Sequence, residues 1–398
     1  MRNWQMARIR NPNLYDALGG KSACRRLAVA FYARVERDPL LRPLFPGKSF
    51  TCAIEAFAAF LAQFLGGPSE DSQRRWWLSL RESHLRFQIG DRERKAWLAN
   101  MAGAFDDVHV AEPLRREFLR FFERSSAYVV NQGAAAAIDR KKSEPDHHGT
   151  HAELAGRWEA QIRLDEAVAA IRAGNASEAI RLIETSALKS CGRSVHCGLL
   201  SLMVRCAPDS LLDYVRARLA DDPALAQERY AGRTLLHDAA AVGNLAVVEL
   251  LLSLGTDPNS QDGGGHTPLY SVGNECAVAR GGTVVFALVR AGGAVDANAG
   301  VKNCTALHMA ARRGNEEVAQ ALLDCGANIE ARDSVGETPL RRAVNCDKVR
   351  VASLLLAKGA DVRCVGSKGL TPLLAARSAG MKHLLQRYAS DDTTIDRA

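Results

Sequence analysis

The strongest constraint in this 398-residue sequence is a repeat in its second half. Thr234, Thr267, Thr305, Thr338 and Thr371 each open a similar tetrapeptide, TLLH, TPLY, TALH, TPLR and TPLL, at spacings of 33, 38, 33 and 33 residues. Gly255, Gly326 and Gly359 lie 21 residues after their threonines, and the next threonine comes 12 later. The unit opened by Thr267 reaches Gly293 after 26 residues and then resumes the 12-residue step. Its five extra residues are therefore expected between two helices, around Ala279–Gly282. A period of this size marks a stack of small units, none of which buries its apolar face alone.

Each unit spells out its own local structure. A threonine hydroxyl accepts from the orphan N–H groups at a helix start, and Pro339 loses nothing in the first turn, where its missing N–H would have no partner. Leu307–Ala311 is small and apolar enough for a tight inner helix, Gly314-Asn315 breaks it, and Val318, Leu322 and Leu323 supply the apolar face of a second. Gly326 suits a left-handed helix cap. A 33-residue period with TPLH-like openings resembles the ankyrin repeat. Two weaker copies precede these: Gly174-Asn175-Ala176 mirrors Gly243-Asn244-Leu245, and Leu211–Pro223 mirrors Leu245–Pro258. About seven units then fill residues 160–398, about 60% of the chain, with the first two and the last degenerate. The resemblance implies a protein-interaction scaffold with an unidentified protein partner, and it brings no catalytic residue.

Residues 1–132 are of another kind. They carry 21 Lys and Arg against 14 Asp and Glu, whereas the rest of the chain is balanced at 31 of each. The whole net charge of +7 thus belongs to the first domain, as a solvated basic face or as an attractor of an anionic cofactor or acidic partner. The positive charges are spread over several helices and form no single stripe, which argues against nucleic acid. Residues 133–159 form a linker of alanines, a short basic run, Pro145 and His147, His148 and His151, read as solvated although those histidines could bind a transition metal. The ten cysteines show no CxxC pair and no zinc-type spacing, as expected of reduced thiols in a cytoplasmic protein. The longest apolar stretches, Cys52–Leu65 and Leu245–Leu254, are interrupted by Glu55, Gln63 and Glu249, so no segment spans a bilayer. Arg2, Arg8 and Arg10 have no apolar core behind them, which argues against a signal peptide.

Apolar spacing in the first domain predicts helices over Ala23–Val35, Ile54–Leu65, Glu93–Phe105 and Leu114–Val130, so the whole chain reads as all-α. The helix over Ile54–Leu65 is apolar on two sides, with Phe57, Phe60, Leu61 and Phe64. A planar apolar cofactor between helices and an ordinary tight core both explain that surface. Of the two histidines here, His109 sits in a polar loop, and His84 ends a short helix between Leu80 and Phe87. The words LYDALGG, AFYARVERDPLLRPLFP, FLAQFLGGP, SHLRFQIG, ERKAWL and YVVNQ occur in order across residues 11–132. Together, with the double glycines Gly19-Gly20 and Gly66-Gly67, they resemble a truncated haemoglobin of the second group.

That resemblance implies a haem b cofactor whose iron is bound by His84 as the proximal ligand. Tyr32 would be the distal tyrosine and Trp97 the tryptophan characteristic of the group, both hydrogen-bond donors to bound dioxygen. Phe45 falls where relatives carry Phe, Tyr or His, and Ala53 stands where others have a distal histidine. Phe57, Phe60, Leu80, Phe87, Ile89 and Met101 would line the pocket, and Arg81 would meet a haem propionate. The stretch RRWWLSLRES departs from the family, and its Trp76 and Trp77 would shield the proximal side or dock the repeats. The implied function is binding of dioxygen or another diatomic gas for sensing or redox chemistry, with no membrane or nucleic-acid partner. The alternative is a nitric oxide dioxygenase or peroxidase-type enzyme. Because no GxGxxG motif follows a strand, such turnover would need an external reductase.

Overall fold

The computed structural model describes residues 14–45, 47, 49–67, 79–132, 152–206, 209–276, 280–366 and 369–395. The tryptophans Trp76 and Trp77 and the histidines His147, His148 and His151 lie outside them. The regular secondary structure of the described residues is almost all helix. The exceptions in sheet form are an antiparallel hairpin, β1 (Arg229–Tyr230) against β2 (Arg233–Thr234), and an isolated bridge between Ala299 and Cys304. The chain divides into two compact units, Met1–Cys191 and Gly192–Ala398.

The first unit opens with α1 (Leu14–Leu18), α2 (Gly20–Val35), α3 (Thr51–Phe64), α4 (Leu80–His84), α5 (Asp91–Asp107) and α6 (Leu114–Tyr128). Their buried positions follow helical spacing. Cys24, Leu27, Phe31 and Val35 mark one stripe of α2, Leu61 and Phe64 close α3, and Met101, Ala104 and Phe105 face them from α5. From α6, Phe118, Phe121 and Phe122 complete the cluster. The turn after α3 brings Leu65 under α1, where its carbonyl accepts from the Tyr15 N–H at 3.0 Å. A side chain at Gly67 would lie 2.6 Å from the Tyr15 ring, so only glycine fits there.

Three more helices complete this unit: α7 (Ala152–Arg172), α8 (Ala176–Ile183) and α9 (Ser186–Lys189). The boundary expected at residue 160 falls inside α7. Leu154 and Trp158 belong to the same buried cluster as Phe31 and Phe121, and Ile162 packs against it. Trp158 meets the rings of Tyr128, Phe121 and Phe64 at centroid distances of 5.4, 5.8 and 6.4 Å. The turn after α7 nevertheless has the form of a repeat turn. Gly174 is left-handed like Gly243 and Gly314, and the Asn175 side chain caps the next helix, as Asn244 and Asn315 do. Sequence similarity at that turn is real, but the helix before it is packed with the first unit.

The second unit consists of helix pairs. They are α10 (Arg193–Cys206) with α11 (Asp209–Asp221), α12 (Leu235–Val242) with α13 (Leu245–Ser253), and α14 (Pro268–Glu275) with α15 (Gly281–Arg290). Then follow α16 (Ala306–Arg313) with α17 (Glu316–Asp324), α18 (Pro339–Asn345) with α19 (Val349–Ala357), and α20 (Pro372–Ala375) with α21 (Ala379–Ile395). All five opening threonines sit at the N-cap of an inner helix. In three of the five tetrapeptides the fourth residue ties one unit to the next. The Thr305 N–H donates to His308 Nδ1 at 3.1 Å, which leaves the proton on Nε2 to donate to the Glu337 carbonyl at 3.0 Å. His237 makes the same bridge from the Thr234 N–H to the His266 carbonyl. In the next unit Arg341, buried beside Glu337, reaches the Thr371 carbonyl at 2.9 Å. In the last unit Leu374 occupies this position and is 68% exposed.

One expectation needs correction. In the unit opened by Thr267 the left-handed residue is Gly292, at φ +96°, and not Gly293. Four of the five extra residues therefore precede that glycine, in the interhelical segment 276–280, whose residues 277–279 lie outside the described ones, and in α15, and one follows it before Thr305. Gly293 is a glycine for a different reason: a Cβ there would lie 2.8 Å from the Leu288 carbonyl oxygen.

Candidate functional site

The site is built on α2, α3, α4 and α5, four helices whose inward stripes converge on aromatic rings. A nearly continuous ring path runs through it. His84 lies 6.2 Å from Phe87, Phe87 5.5 Å from Phe45, and Phe45 5.5 Å from Tyr32. Tyr32 is 6.2 Å from Phe57, and Phe57 is 6.3 Å from Trp97 and stacked with Phe60 at 6.2 Å. Phe31 stands behind both, 5.4 Å from Phe57 and 5.3 Å from Trp97. Residues far apart in sequence are thus brought into one apolar environment by the packing of these helices and of the turns that carry Phe45 and Phe87.

His84 is the last residue of α4. Its Nδ1 lies 2.7 Å from the Leu80 carbonyl, one turn back, and 3.0 Å from the Ser83 hydroxyl. Donation from Nδ1 to a carbonyl fixes the neutral tautomer with its lone pair on Nε2, the arrangement that suits an imidazole to a metal ion. Nε2 has no hydrogen-bond partner among the described residues. Burial depresses the His84 pKa, the bond to Leu80 opposes that shift, and the Arg86 charge adds to it. The imidazole is therefore held neutral and available as a donor atom at ordinary pH.

Asn131, just beyond α6, anchors the segment after His84. Its amide donates to the Phe87 carbonyl at 2.8 Å and the His84 carbonyl at 3.2 Å, while its Oδ1 accepts from the Ile89 N–H at 3.0 Å. This fixes Phe87 and Ile89 through the backbone. Ala53, Phe57, Phe60, Leu80 and Trp97 pack against the buried cluster, and Met101 is fully buried in it. Phe45 is held in the turn after α2 by Arg42, whose guanidinium donates to the Phe45 carbonyl and stacks over Phe50 at 5.1 Å.

Tyr32 and Trp97 are the polar members of this apolar set. Tyr32 is buried, which pushes its phenol up to about 12. Its hydroxyl and the Trp97 indole N–H have no hydrogen-bond partner among the described residues. Donors of this type in an apolar setting ordinarily find an acceptor, and with Tyr32 buried and Trp97 half-buried the pair can serve a polar guest.

The Arg81 guanidinium lies 6.0 Å from the centre of the Tyr128 ring. The cation felt by both His84 and Tyr32 is Arg86, stacked 4.7 Å from the Phe87 ring. Sequence reasoning missed it, although it stands two residues after His84 in SHLRFQIG. It also missed Asp165 on α7, whose carboxylate accepts from the backbone N–H groups of Leu80 and Arg81 at 2.9 and 3.2 Å. No local signal in the sequence links a residue 85 positions away to α4.

Comparison with known proteins agrees with this geometry. A family model described as bacterial-like globin matches residues 13–131, and ankyrin-repeat models match residues 231–263 and 275–366. The group 2 truncated hemoglobin YjbI of Bacillus subtilis (strain 168) is 34% identical over 121 residues, which are 30% of this chain and 90% of that protein. Two-on-two hemoglobin-3 of Arabidopsis thaliana is 27% identical over 142 residues, covering 35% of this chain and 79% of its own. The crystal structure of hemoglobin from Chloroflexus aurantiacus is 40% identical, with 31% of this chain covering all of that one at a TM-score of 0.29. On the repeat side, ankyrin repeat and SOCS box protein 16 of Homo sapiens is 35% identical over 115 residues. This chain spans only 24% of that protein's length. Its N-terminal part thus makes the chain a member of the bacterial-like globins, of the truncated haemoglobin kind, with ankyrin repeats in its C-terminal part.

Proposed function

We propose that the first unit binds haem b with His84 as the proximal ligand, takes dioxygen or another diatomic gas beside Tyr32 and Trp97, and works with the repeats as a protein-interaction module. The observation that carries this reading is the pair of donors, Tyr32 hydroxyl and Trp97 N–H, standing without an acceptor among the described residues on the ring path that also contains His84. The donor chemistry fits a haem: one neutral imidazole nitrogen without a partner among the described residues, aromatic walls from Phe45, Phe57, Phe60 and Phe87, and cationic Arg86 for a carboxylate. Haem supplies an iron centre with a coordination position open to a diatomic gas.

The chain's own residues do the rest. Leu80 orients the His84 ring, Asn131 anchors the segment that follows, and Tyr32 and Trp97 present two donors to a guest carrying partial negative charge. Each such hydrogen bond contributes about 1.5–3 kcal/mol. Two of them slow release by roughly a hundredfold or more, which suits sensing or redox chemistry better than transport.

The test is the absorption spectrum of the purified chain, reduced and then exposed to dioxygen and carbon monoxide, for wild type and His84→Gly. A haem spectrum that His84→Gly abolishes, and that added imidazole restores, is the expected result. A normal five-coordinate ferrous spectrum in His84→Gly without imidazole would overturn the ligand assignment.

A further inference from the structure

Helix α7 carries, on one face, a row of residues aimed at the helices before it in the first unit. Leu154, Trp158, Gln161, Ile162 and Asp165 recur at three- and four-residue spacing, the pattern of a single helical stripe. Its upper part is apolar and joins the buried cluster. Its lower part is polar and meets α4. Arg157 donates to the Phe64 and Gln63 carbonyls at 3.0 and 3.2 Å, at the end of α3. Arg172 pairs with Glu82 at 2.7 Å. Between these, Asp165 is 5% exposed and receives the Leu80 N–H at 2.9 Å, the Arg81 N–H at 3.2 Å and the Gln161 amide at 2.9 Å. The Tyr128 hydroxyl donates to the same carboxylate.

The position of these bonds has a chemical consequence. One peptide group, the amide joining Leu80 to Arg81, is gripped from both ends. Its N–H, on Arg81, donates to Asp165. Its C=O, on Leu80, receives the His84 Nδ1 proton at 2.7 Å. Hydrogen bonds in such a chain polarise one another, and a carboxylate pulling on the N–H makes the carbonyl oxygen a better acceptor. A stronger acceptor draws the Nδ1 proton further from the ring and makes Nε2 a more basic ligand.

We infer that Asp165 is a positioning residue for His84: through the Leu80–Arg81 peptide, α7 fixes the orientation of the proximal imidazole and raises its strength as an iron ligand. The inference rests on the haem reading above. It makes α7 part of the iron-binding apparatus, although it lies beyond the linker.

The experiment uses the full chain loaded with haem, read by the iron–histidine stretching band of the ferrous protein in resonance Raman spectra. A second reading comes from amide hydrogen exchange at Leu80 and Arg81 without haem. Asp165→Asn removes the charge and little volume. It should move the band to lower frequency and speed exchange at the two amides by about ten- to a hundredfold, the span expected for losing a charge-assisted bond. Tyr128→Phe removes a competing donor to the same carboxylate and should move the band the opposite way, so the inference stays testable if Asp165→Asn folds poorly. Arg172→Ala, which breaks the tie to Glu82 and leaves the Asp165 carboxylate in place, should leave the band where it is. Faster exchange with an unmoved band in Asp165→Asn and Tyr128→Phe would mean that Asp165 merely caps α4, and the inference fails. Absence of the band from wild type would instead overturn the haem reading, and this inference with it.

Discussion

Trp158 gives the sharpest test of where the first folding unit ends. Replacement by alanine removes an indole that is 3% exposed and touches three rings, of Tyr128, Phe121 and Phe64. A buried aromatic side chain covers on the order of 150–250 Å², and at about 25 cal/mol per Å² its burial contributes up to ~4–6 kcal/mol. Residual structure in the unfolded chain lowers that figure, whereas the cavity left among rigid rings raises it. A loss of about 3–5 kcal/mol is expected, a large part of the stability of a domain this size. The assay is urea denaturation of the full chain, following the unfolding of the aromatic-rich first unit by near-ultraviolet circular dichroism, with haem absent so that ligand linkage does not enter. Trp158→Ala should shift the first-unit transition and spare that of the repeats. A change below about 1 kcal/mol would refute the argument, because it would mean that α7 merely rests on the first unit and is no part of its core.

Three other outcomes follow from the same geometry. Tyr32→Phe should accelerate dioxygen release by about ten- to a hundredfold in stopped-flow measurements, and carbon monoxide release much less. Equal effects on both gases would mean that Tyr32 only gates access. Trp97→Phe should act in the same direction, and unchanged dioxygen rates in both variants would remove the basis for a gas-specific role. The repeats should lose stability on acidification. Burial holds His237 and His308 below the ordinary imidazole pKa of about 6.5, so the unfolded chain takes up protons that the folded one refuses. Stability is fully present above that value and falls as pH drops below it, by at most about 1.4 kcal/mol per pH unit for each histidine. Thermal melting of the full chain at pH 7.5 and 5.5 checks this, and His237→Gln with His308→Gln should flatten the profile.

The sequence was most informative where the physics is local. A threonine at an N-cap, an asparagine capping a second helix and a 33-residue spacing declare the repeats without any knowledge of what they pack against. The helices of the first unit were legible for the same reason, since Cys24, Leu27, Phe31 and Val35 lie on one stripe whatever faces them. The roles of Tyr32, His84 and Trp97 came instead from family resemblance, because nothing in their spacing says that they meet on one ring path. Helix α7 was misjudged because its two ends obey different rules. Gly174 and Asn175 form a repeat-like turn, and this drew residues 160 onward into the repeats. Trp158 and Asp165, on either side of that boundary, belong with α3, α4 and α6 through contacts between positions 30 to 94 apart, which no periodicity reveals. Gly292 was missed more simply, since two adjacent glycines offer the same composition and only the backbone angle distinguishes them.

The bridges between neighbouring repeats do not all break in the same way. Two of them, from His237 to the His266 carbonyl and from His308 to the Glu337 carbonyl, need an imidazole whose Nδ1 is free to accept. A proton on Nδ1 would face the N–H of Thr234 or Thr305, and the bridge would open. The third, from Arg341 to the Thr371 carbonyl, uses a guanidinium whose charge does not change with pH. In a linear array cooperativity passes from neighbour to neighbour and is limited by its weakest interface. Mild acid should therefore divide the array instead of melting it uniformly. The interfaces bridged by His237 and His308 would open while the units opened by Thr338 and Thr371 remained joined, so the single unfolding transition at neutral pH would split, with the C-terminal units the last to go.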